Sequence, residues 1–402
     1  MECVIVHTPG PEVENMNPQN AERALYSDVL NLDVLRQEYQ QFKEVLDSQC
    51  KTLQIEDLLH DILQSDNIRC SLIKEIVELE KSDIHIDSEL DISPDRMAKA
   101  LIHGVIMQKD NLTKYFNDER YALRPLHNFF FTRDAATTIG KQVLINPMAN
   151  QVRARESLIM EYIFNYHPKL KTVTINPSRL NKNPQVTIEG GDILIARADT
   201  LIIGTGVRTS VQGVDFILET VRDTDQIKHI VVQELPAVPE SYIHLDMVFT
   251  LLDRDTCMVF EPVVLTPNNY RTIHINIDGE KVNISSEKDL PTVLEKLGFD
   301  LKPVFCGGNQ DKWIQEREQW HSGANFFAFA PGKLIGYNRN INTLEQLNQS
   351  GFEIIPSEKV ICGEVDPKSY AKCVVTIDGS ELARGGGGAR CMTMPFRRKA
   401  MF

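Results

Sequence analysis

The chain reads as an α/β protein with a helical block inserted after its first unit. Short apolar runs recur along most of its 402 residues, and helical stretches fall between them. From about residue 56 the strand pattern gives way to successive amphipathic helices, and it resumes near Arg124-Pro125.

The elements follow in order. Cys3–His7 is a strand that begins at once. Leu35, Tyr39, Phe42 and Leu46 form an apolar stripe at helical spacing. Within the helical block Ser93-Pro94 is a helix start, with Ser as N-cap and Pro at the first helical position. Further strands are expected at Val143–Asn146, Thr172–Ile175, Ile193–Arg197, His229–Gln233, Cys257–Phe260, Arg271–Ile277, Phe326–Phe329 and Cys373–Ile377. Val211–Val221 and Leu290–Leu297 are helices. Asn181-Lys-Asn-Pro184, Pro267-Asn-Asn269 and Pro331-Gly332 mark loops.

Composition narrows the class. Apolar residues make up 42% and charged residues 25%, as in a globular protein with a full core. No stretch approaches the roughly 20 apolar residues that span a bilayer, and the start of the chain lacks the features of a signal peptide. A cytoplasmic protein without a membrane partner is expected. Lys+Arg 43 against Asp+Glu 56 gives a net charge of -13, which argues against nucleic acid as a partner. The eight cysteines, at 3, 50, 70, 257, 306, 362, 373 and 391, show no CxxC spacing and no clustering with histidine. Most sit in apolar runs, where thiols are inert core residues.

Four polar segments interrupt this apolar background: Phe131-Thr-Arg-Asp134, Glu189-Gly-Gly-Asp192, His244-Leu-Asp246 and Arg384-Gly-Gly-Gly-Gly-Ala-Arg-Cys391. Each has an ordinary explanation. Asp134 suits a turn, Glu189–Asp192 a hairpin loop, His244 a structural histidine, and Arg153 and Arg208 a surface. Together they supply a thiol, an imidazole and several carboxylates, the inventory needed to attack a cationic planar carbon. Two carboxylates fix the plane of a guanidinium through its fork of N–H donors. A polarizable thiolate then attacks the carbon, and a histidine protonates the departing amine before activating water. Asp246 lies two residues from His244, on the same side if the segment is extended. Gly385–Gly388 is no phosphate loop, because no Gly-Lys-Ser/Thr follows. Arg384 and Arg390 are expected to lower the pKa of Cys391.

The chain resembles the arginine deiminase family of guanidine-modifying enzymes. The matching stretches are Val4-Ile-Val-His-Thr-Pro-Gly10, Asn128-Phe-Phe-Phe-Thr-Arg-Asp134, Glu189-Gly-Gly-Asp192, Gly206-Val-Arg-Thr-Ser210, His244-Leu-Asp-Met-Val-Phe-Thr250, Arg317-Glu-Gln-Trp320 and Cys391-Met-Thr-Met-Pro395. Their order and spacing match over nearly the whole chain. The resemblance implies a five-fold pseudo-symmetric ββαβ propeller, made by residues 1–55 and 122–402, with a helical subdomain inserted at 56–121. It implies hydrolysis of free L-arginine to citrulline and ammonia. By position, Cys391 is the nucleophile and His244 the general acid and then base. Asp134 and Asp246 hold the guanidinium, and Glu189 supports His244. Arg153, Arg208 and Asn128 receive the substrate carboxylate, and Phe131 lines the slot. No metal and no organic cofactor is implied, and relatives suggest a homo-oligomer. Two features depart from the family. Gly386 stands where many relatives carry a second arginine. The segment from about Ser357 to Cys373 is longer and is expected to form a hairpin beside the pocket.

Two alternatives remain at this level. An amidinotransferase or a methylarginine hydrolase shares the same thiol, imidazole and carboxylates. A non-catalytic relative acting as a binding protein would have no need of all five of Cys391, His244, Glu189, Asp134 and Asp246.

Overall fold

A computed structural model describes residues 1–399 apart from 17–20, 22–24, 27, 82–91, 181–182, 223, 225 and 266. Part of the turn expected at Asn181-Lys-Asn-Pro184, and part of the expected helical block, therefore lie outside the described residues.

One three-strand pattern recurs five times among the described residues, an antiparallel pair followed by a third strand parallel to the second. Ala136–Ile139, Gln142–Ile145 and Val173–Ile175 make one copy. Ile193–Arg197, Thr200–Thr205 and His229–Glu234 make the next. Phe249–Leu251, Thr256–Val259 and Lys302–Phe305 follow, then Phe327–Ala330, Lys333–Tyr337 and Cys373–Ile377. The last copy joins the two ends of the chain. Met394–Arg397 runs antiparallel to Cys3–Val6, which pairs in parallel with Lys51–Gln54. Parallel neighbours cannot be joined by a tight turn. Helices carry the crossovers: Ala154–Tyr166, Val211–Arg222, Leu290–Lys296, Ile341–Gln349 and Leu32–Gln49.

The same rule corrects the hairpin expected near Ser357–Cys373. Glu353–Pro356 and Cys373–Ile377 are parallel, so the segment between them is a crossover. It contains the short helix Ser357–Ile361 and a 3₁₀ turn at Pro367–Ser369.

Helices Ile55–Leu63, Asp66–Glu80 and Pro94–His103 occupy the region where strand signals fade. Ser93 Oγ accepts from Arg96 N at 3.4 Å, the expected cap. Strands do not vanish entirely there, since Val105–Ile106 pairs with Tyr121–Leu123. These helices share their core with the adjoining sheets. Leu58, Leu59, Ile62, Leu101 and Ile102 pack in one cluster with Ile5, Phe129, Val143, Ile159 and Phe164. Among the described residues no helix is long and apolar enough to cross a membrane.

Helix Leu32–Gln49 bears directly on the site. Its stripe of Leu35, Tyr39, Phe42 and Leu46 is fully buried. Beside that stripe, the Glu38 carboxylate accepts from the backbone N–H groups of Ser380 (2.7 Å), Glu381 (3.0 and 3.2 Å) and Leu382 (2.9 Å). The helix thus pins the segment that leads into Arg384–Cys391. Glu38→Ala strands three backbone donors and is expected to lower the unfolding free energy by about 2–4 kcal/mol. Urea denaturation measures it, and a change below about 0.5 kcal/mol would show that water replaces the carboxylate.

Candidate active site

Cys391 sits in a tight turn just before the strand Met394–Arg397, and it is buried. Both sides of its peptide are held: the N–H donates to Asn325 Oδ1 at 3.1 Å, and the C=O accepts from Arg133 N at 3.0 Å. Its Sγ lies 3.9 Å from Asp246 Oδ2 and 4.0 Å from Oδ1. Asp246 belongs to a 3₁₀ turn, Leu245–Met247, that follows His244. The extended segment expected around His244 and Asp246 is therefore absent. The turn, not strand alternation, brings both residues into the site.

His244 Nε2 is 2.9 Å from Glu189 Oε2, and its Nδ1 is 3.9 Å from Asp134 Oδ1. Glu189 precedes a second 3₁₀ turn, Gly190–Asp192. A Cβ on Gly191 would lie 2.6 Å from the imidazole ring, so only glycine admits His244 this closely. Gly191 N also donates to Asp134 Oδ1 at 3.1 Å. Asp192 Oδ1 accepts from Leu245 N at 2.9 Å, which ties the two turns together.

The carboxylates are matched by guanidinium groups of the protein itself. Arg153 Nη1 is 2.7 Å from Asp134 Oδ2, and its Nε and Nη2 reach Glu156 at 2.8–3.1 Å. Arg390 Nη1 is 2.5 Å from Asp246 Oδ2. Arg208 Nη1 lies 3.4 Å from Glu189 Oε2. Asn128 and Phe131 are buried beside Arg153, which faces their backbone carbonyls at 3.5 and 3.3 Å. The Phe131 ring packs on Phe130 with centroids 4.1 Å apart.

These contacts set the protonation states. Burial opposes charge on His244, but Asp134 and the Glu189 hydrogen bond outweigh it and lift the imidazolium to about 9. Burial likewise pushes Glu189 up, yet the hydrogen bond from His244 and the charge of Arg208 bring it down to about 2. Burial raises Glu156 and Asp192 to about 7, Arg153 offsetting it in part for Glu156. The Cys391 thiol is pushed well above 9.0, first by burial and then by Asp246 and Asp134. Arg390 works in the opposite direction without prevailing. Arg384 takes no part, because it pairs with Asp28 and Glu381. The expectation that two arginines lower this thiol pKa is thus corrected. In the free protein the pair at neutral pH is thiol and imidazolium.

Asp134, Glu189 and His244 offer ligand atoms within 4.8 Å of one another, a spacing a divalent ion could bridge. The guanidinium of Arg153, 2.7 Å from Asp134 and 3.9 Å from Glu189, already supplies positive charge there.

A family model described as arginine deiminase matches residues 22–398. The chain belongs to the arginine deiminase family. An arginine deiminase of Listeria innocua is 32% identical, and one of Bacillus cytotoxicus 31% identical; each match covers 99% of this chain and 96% of the relative. Among solved structures, the product-bound N-terminal domain of ArgZ, a cyanobacterial arginine dihydrolase, superposes with a TM-score of 0.54 at 12% identity. That match covers 98% of this chain and 96% of the other. A mutant dimethylarginine dimethylaminohydrolase of Pseudomonas aeruginosa, complexed with citrulline, gives 0.52 at 13% identity, with 98% of each chain covered. At these identities the two structures speak for the mixed α/β fold alone.

The structure brings all nine residues singled out in this arginine deiminase family member into one region, eight of them buried and Arg208 partly exposed. It places Arg153 on carboxylates, however, with no free edge of its guanidinium directed outward. Arg390, Glu156, Asn325 and Arg133 complete the region without having been singled out for these contacts. Asn325 carried one signal, as a lone amide in the apolar run Gly323-Ala-Asn-Phe-Phe327. Alkylation of Cys391 in the free protein is expected to be slow at pH 7 and still rising past pH 9, because the thiol pKa lies above that value. Arg390→Ala should move the profile to higher pH, since a cation that favours thiolate is lost. Mass spectrometry of the Cys391 peptide reads both, and a profile at lower pH in the variant would contradict the electrostatic assignment.

Proposed function

We propose that this protein is a cytoplasmic hydrolase that converts free L-arginine to citrulline and ammonia through a covalent adduct on Cys391. The observation that carries this reading is that Asp134 and Asp246, the two carboxylates whose charges act on the thiol, each already hold a guanidinium. The substrate cation takes the same two carboxylates, displacing Arg390 from Asp246 and loosening Arg153 from Asp134. Arg153, so released, turns with Arg208 and Asn128 to the substrate carboxylate, while Phe131 bounds the slot.

The arriving positive charge also offsets the two aspartates that hold the thiol protonated, so the thiol releases its proton to solvent as the substrate seats. The thiolate attacks Cζ and forms a neutral tetrahedral adduct. His244 gives its proton to one nitrogen, which departs as ammonia, and a cationic S-alkylthiouronium remains. Neutral His244 then takes a proton from water as its oxygen attacks the same carbon. As the second adduct collapses its hydroxyl proton passes to the sulfur, the C–S bond breaks to restore the thiol, and the ureido product is released. Glu189 keeps the imidazole oriented throughout and favours its charged form.

We further propose that the five recurring ββαβ units ring this site as a propeller, with 56–121 as an inserted helical subdomain, and that the protein is a homo-oligomer. Each unit feeds the centre from the end of a strand or the turn beside it, which is where the named residues stand.

Incubation with arginine is expected to yield citrulline and ammonia in equal amounts, and mass spectrometry of acid-quenched protein to find the adduct on Cys391. Ornithine as product, with or without a transferred amidino group, would overturn the reading. Cys391→Ala should lower turnover by about 10⁴-fold or more while leaving the circular dichroism spectrum unchanged.

A further inference from the structure

One buried amide touches the nucleophile and the guanidinium-binding carboxylate segment together. Asn325 Oδ1 accepts from Cys391 N–H at 3.1 Å and from Arg390 N–H at 3.0 Å. Its Nδ2 donates to the carbonyl of Asp246 at 3.1 Å. The side chain is 1% exposed, so water does not compete for these contacts. One planar amide makes all three contacts, its oxygen accepting from both N–H groups while its nitrogen donates to the carbonyl.

The surroundings make Asn325 part of the body that carries Asp246. Ala324 O accepts from Thr250 Oγ1 at 2.7 Å, and Gln319 Nε2 donates to Met247 O at 3.0 Å and Ser241 O at 2.6 Å. The turn from Gln319 to Asn325 therefore grips the segment 241–250 along its length. The nucleophile loop lies against this body. A Cβ on Gly388 would come within 2.7 Å of both Asn325 Cβ and Oδ1 and 2.9 Å of Asn325 O, so the loop backbone is pressed onto the amide. On the far side Arg133 holds the Cys391 carbonyl.

We propose that Asn325 is a positioning residue. It sets the placement of the Cys391 sulfur relative to Asp246 and so the line of attack on the guanidinium carbon. It also keeps the Arg390 backbone fixed while that side chain vacates Asp246. This inference rests on the roles given above to Cys391 and Asp246. Without the amide the Cys391 N–H loses its acceptor while Arg133 and Thr393 still hold the flanking Cys391 and Arg390 carbonyls, and the reacting atoms lose their alignment more than the substrate loses its binding groups.

Asn325→Ala and Asn325→Asp test it against the unaltered protein by three measurements: kcat and KM for citrulline formation, the pH profile of alkylation at the Cys391 peptide, and thermal unfolding. Asn325→Ala is expected to lower kcat by about 10²-fold, with KM changed by less than about 3-fold. Asn325→Asp keeps the shape and the acceptor but sets a carboxylate beside the Cys391 peptide, so alkylation should shift to higher pH. A folded Asn325→Ala protein with kcat within about 3-fold of the unaltered one overturns the proposal, as does an unmoved profile in Asn325→Asp. If the Ala variant does not fold, the isosteric Asp variant decides. If the unaltered protein forms no citrulline, the reading of its function fails, and the alkylation profile still decides whether Asn325 positions the thiol.

Discussion

Burial of five carboxylates in one small region is the constraint on which the site depends. Asp134, Glu156, Glu189, Asp192 and Asp246 are each 3% exposed or less. Charges removed from water are severely penalised unless paired and hydrogen-bonded. Here Arg153, Arg208, Arg390 and the His244 imidazolium answer four of them, Asp134, Glu156, Glu189 and Asp246, at 2.5–3.9 Å. Asp192, whose Oδ2 has no hydrogen-bond partner, is pushed up to about 7 by burial. A site balanced in this way by its own guanidinium groups is built to accept another, provided that one of its own withdraws.

The same constraint governs the nucleophile. Asp246, with an oxygen 3.9 Å from the sulfur, and Asp134 both oppose a thiolate at Cys391. The free protein resolves the conflict by keeping sulfur protonated and the imidazole charged. A glycine-rich stretch leads to the thiol, and Gly386 within it takes φ +84 with open space around it. The loop is nevertheless fastened at both ends, by Glu38 to helix Leu32–Gln49 and by Asn325 and Arg133 around Cys391. Its freedom is therefore local, between two anchors.

Much of the architecture is legible in the sequence. The stripe of Leu35, Tyr39, Phe42 and Leu46 found its helix, and strands such as Ile193–Arg197 and Cys373–Ile377 stand where apolar runs placed them. These are local signals, in which periodicity and β-branched content act on adjacent residues. The segment near Ser357–Cys373 misled because strand direction is not local. It depends on which neighbour a strand finds, and Glu353–Pro356 finds a parallel one.

The sequence by itself determined the strands, the helices and the chemical inventory, including a thiol, an imidazole and the carboxylates suited to a guanidinium. Tertiary structure alone decided who pairs with whom. Arg153 and Arg390 answer Asp134 and Asp246, Arg384 is spent on Asp28 and Glu381, and Asn325 joins residues 66 and 79 positions away. The reason is physical. Protonation states and ion pairs in a buried site depend on distance and desolvation in three dimensions, and neither is written in the order of residues along the chain.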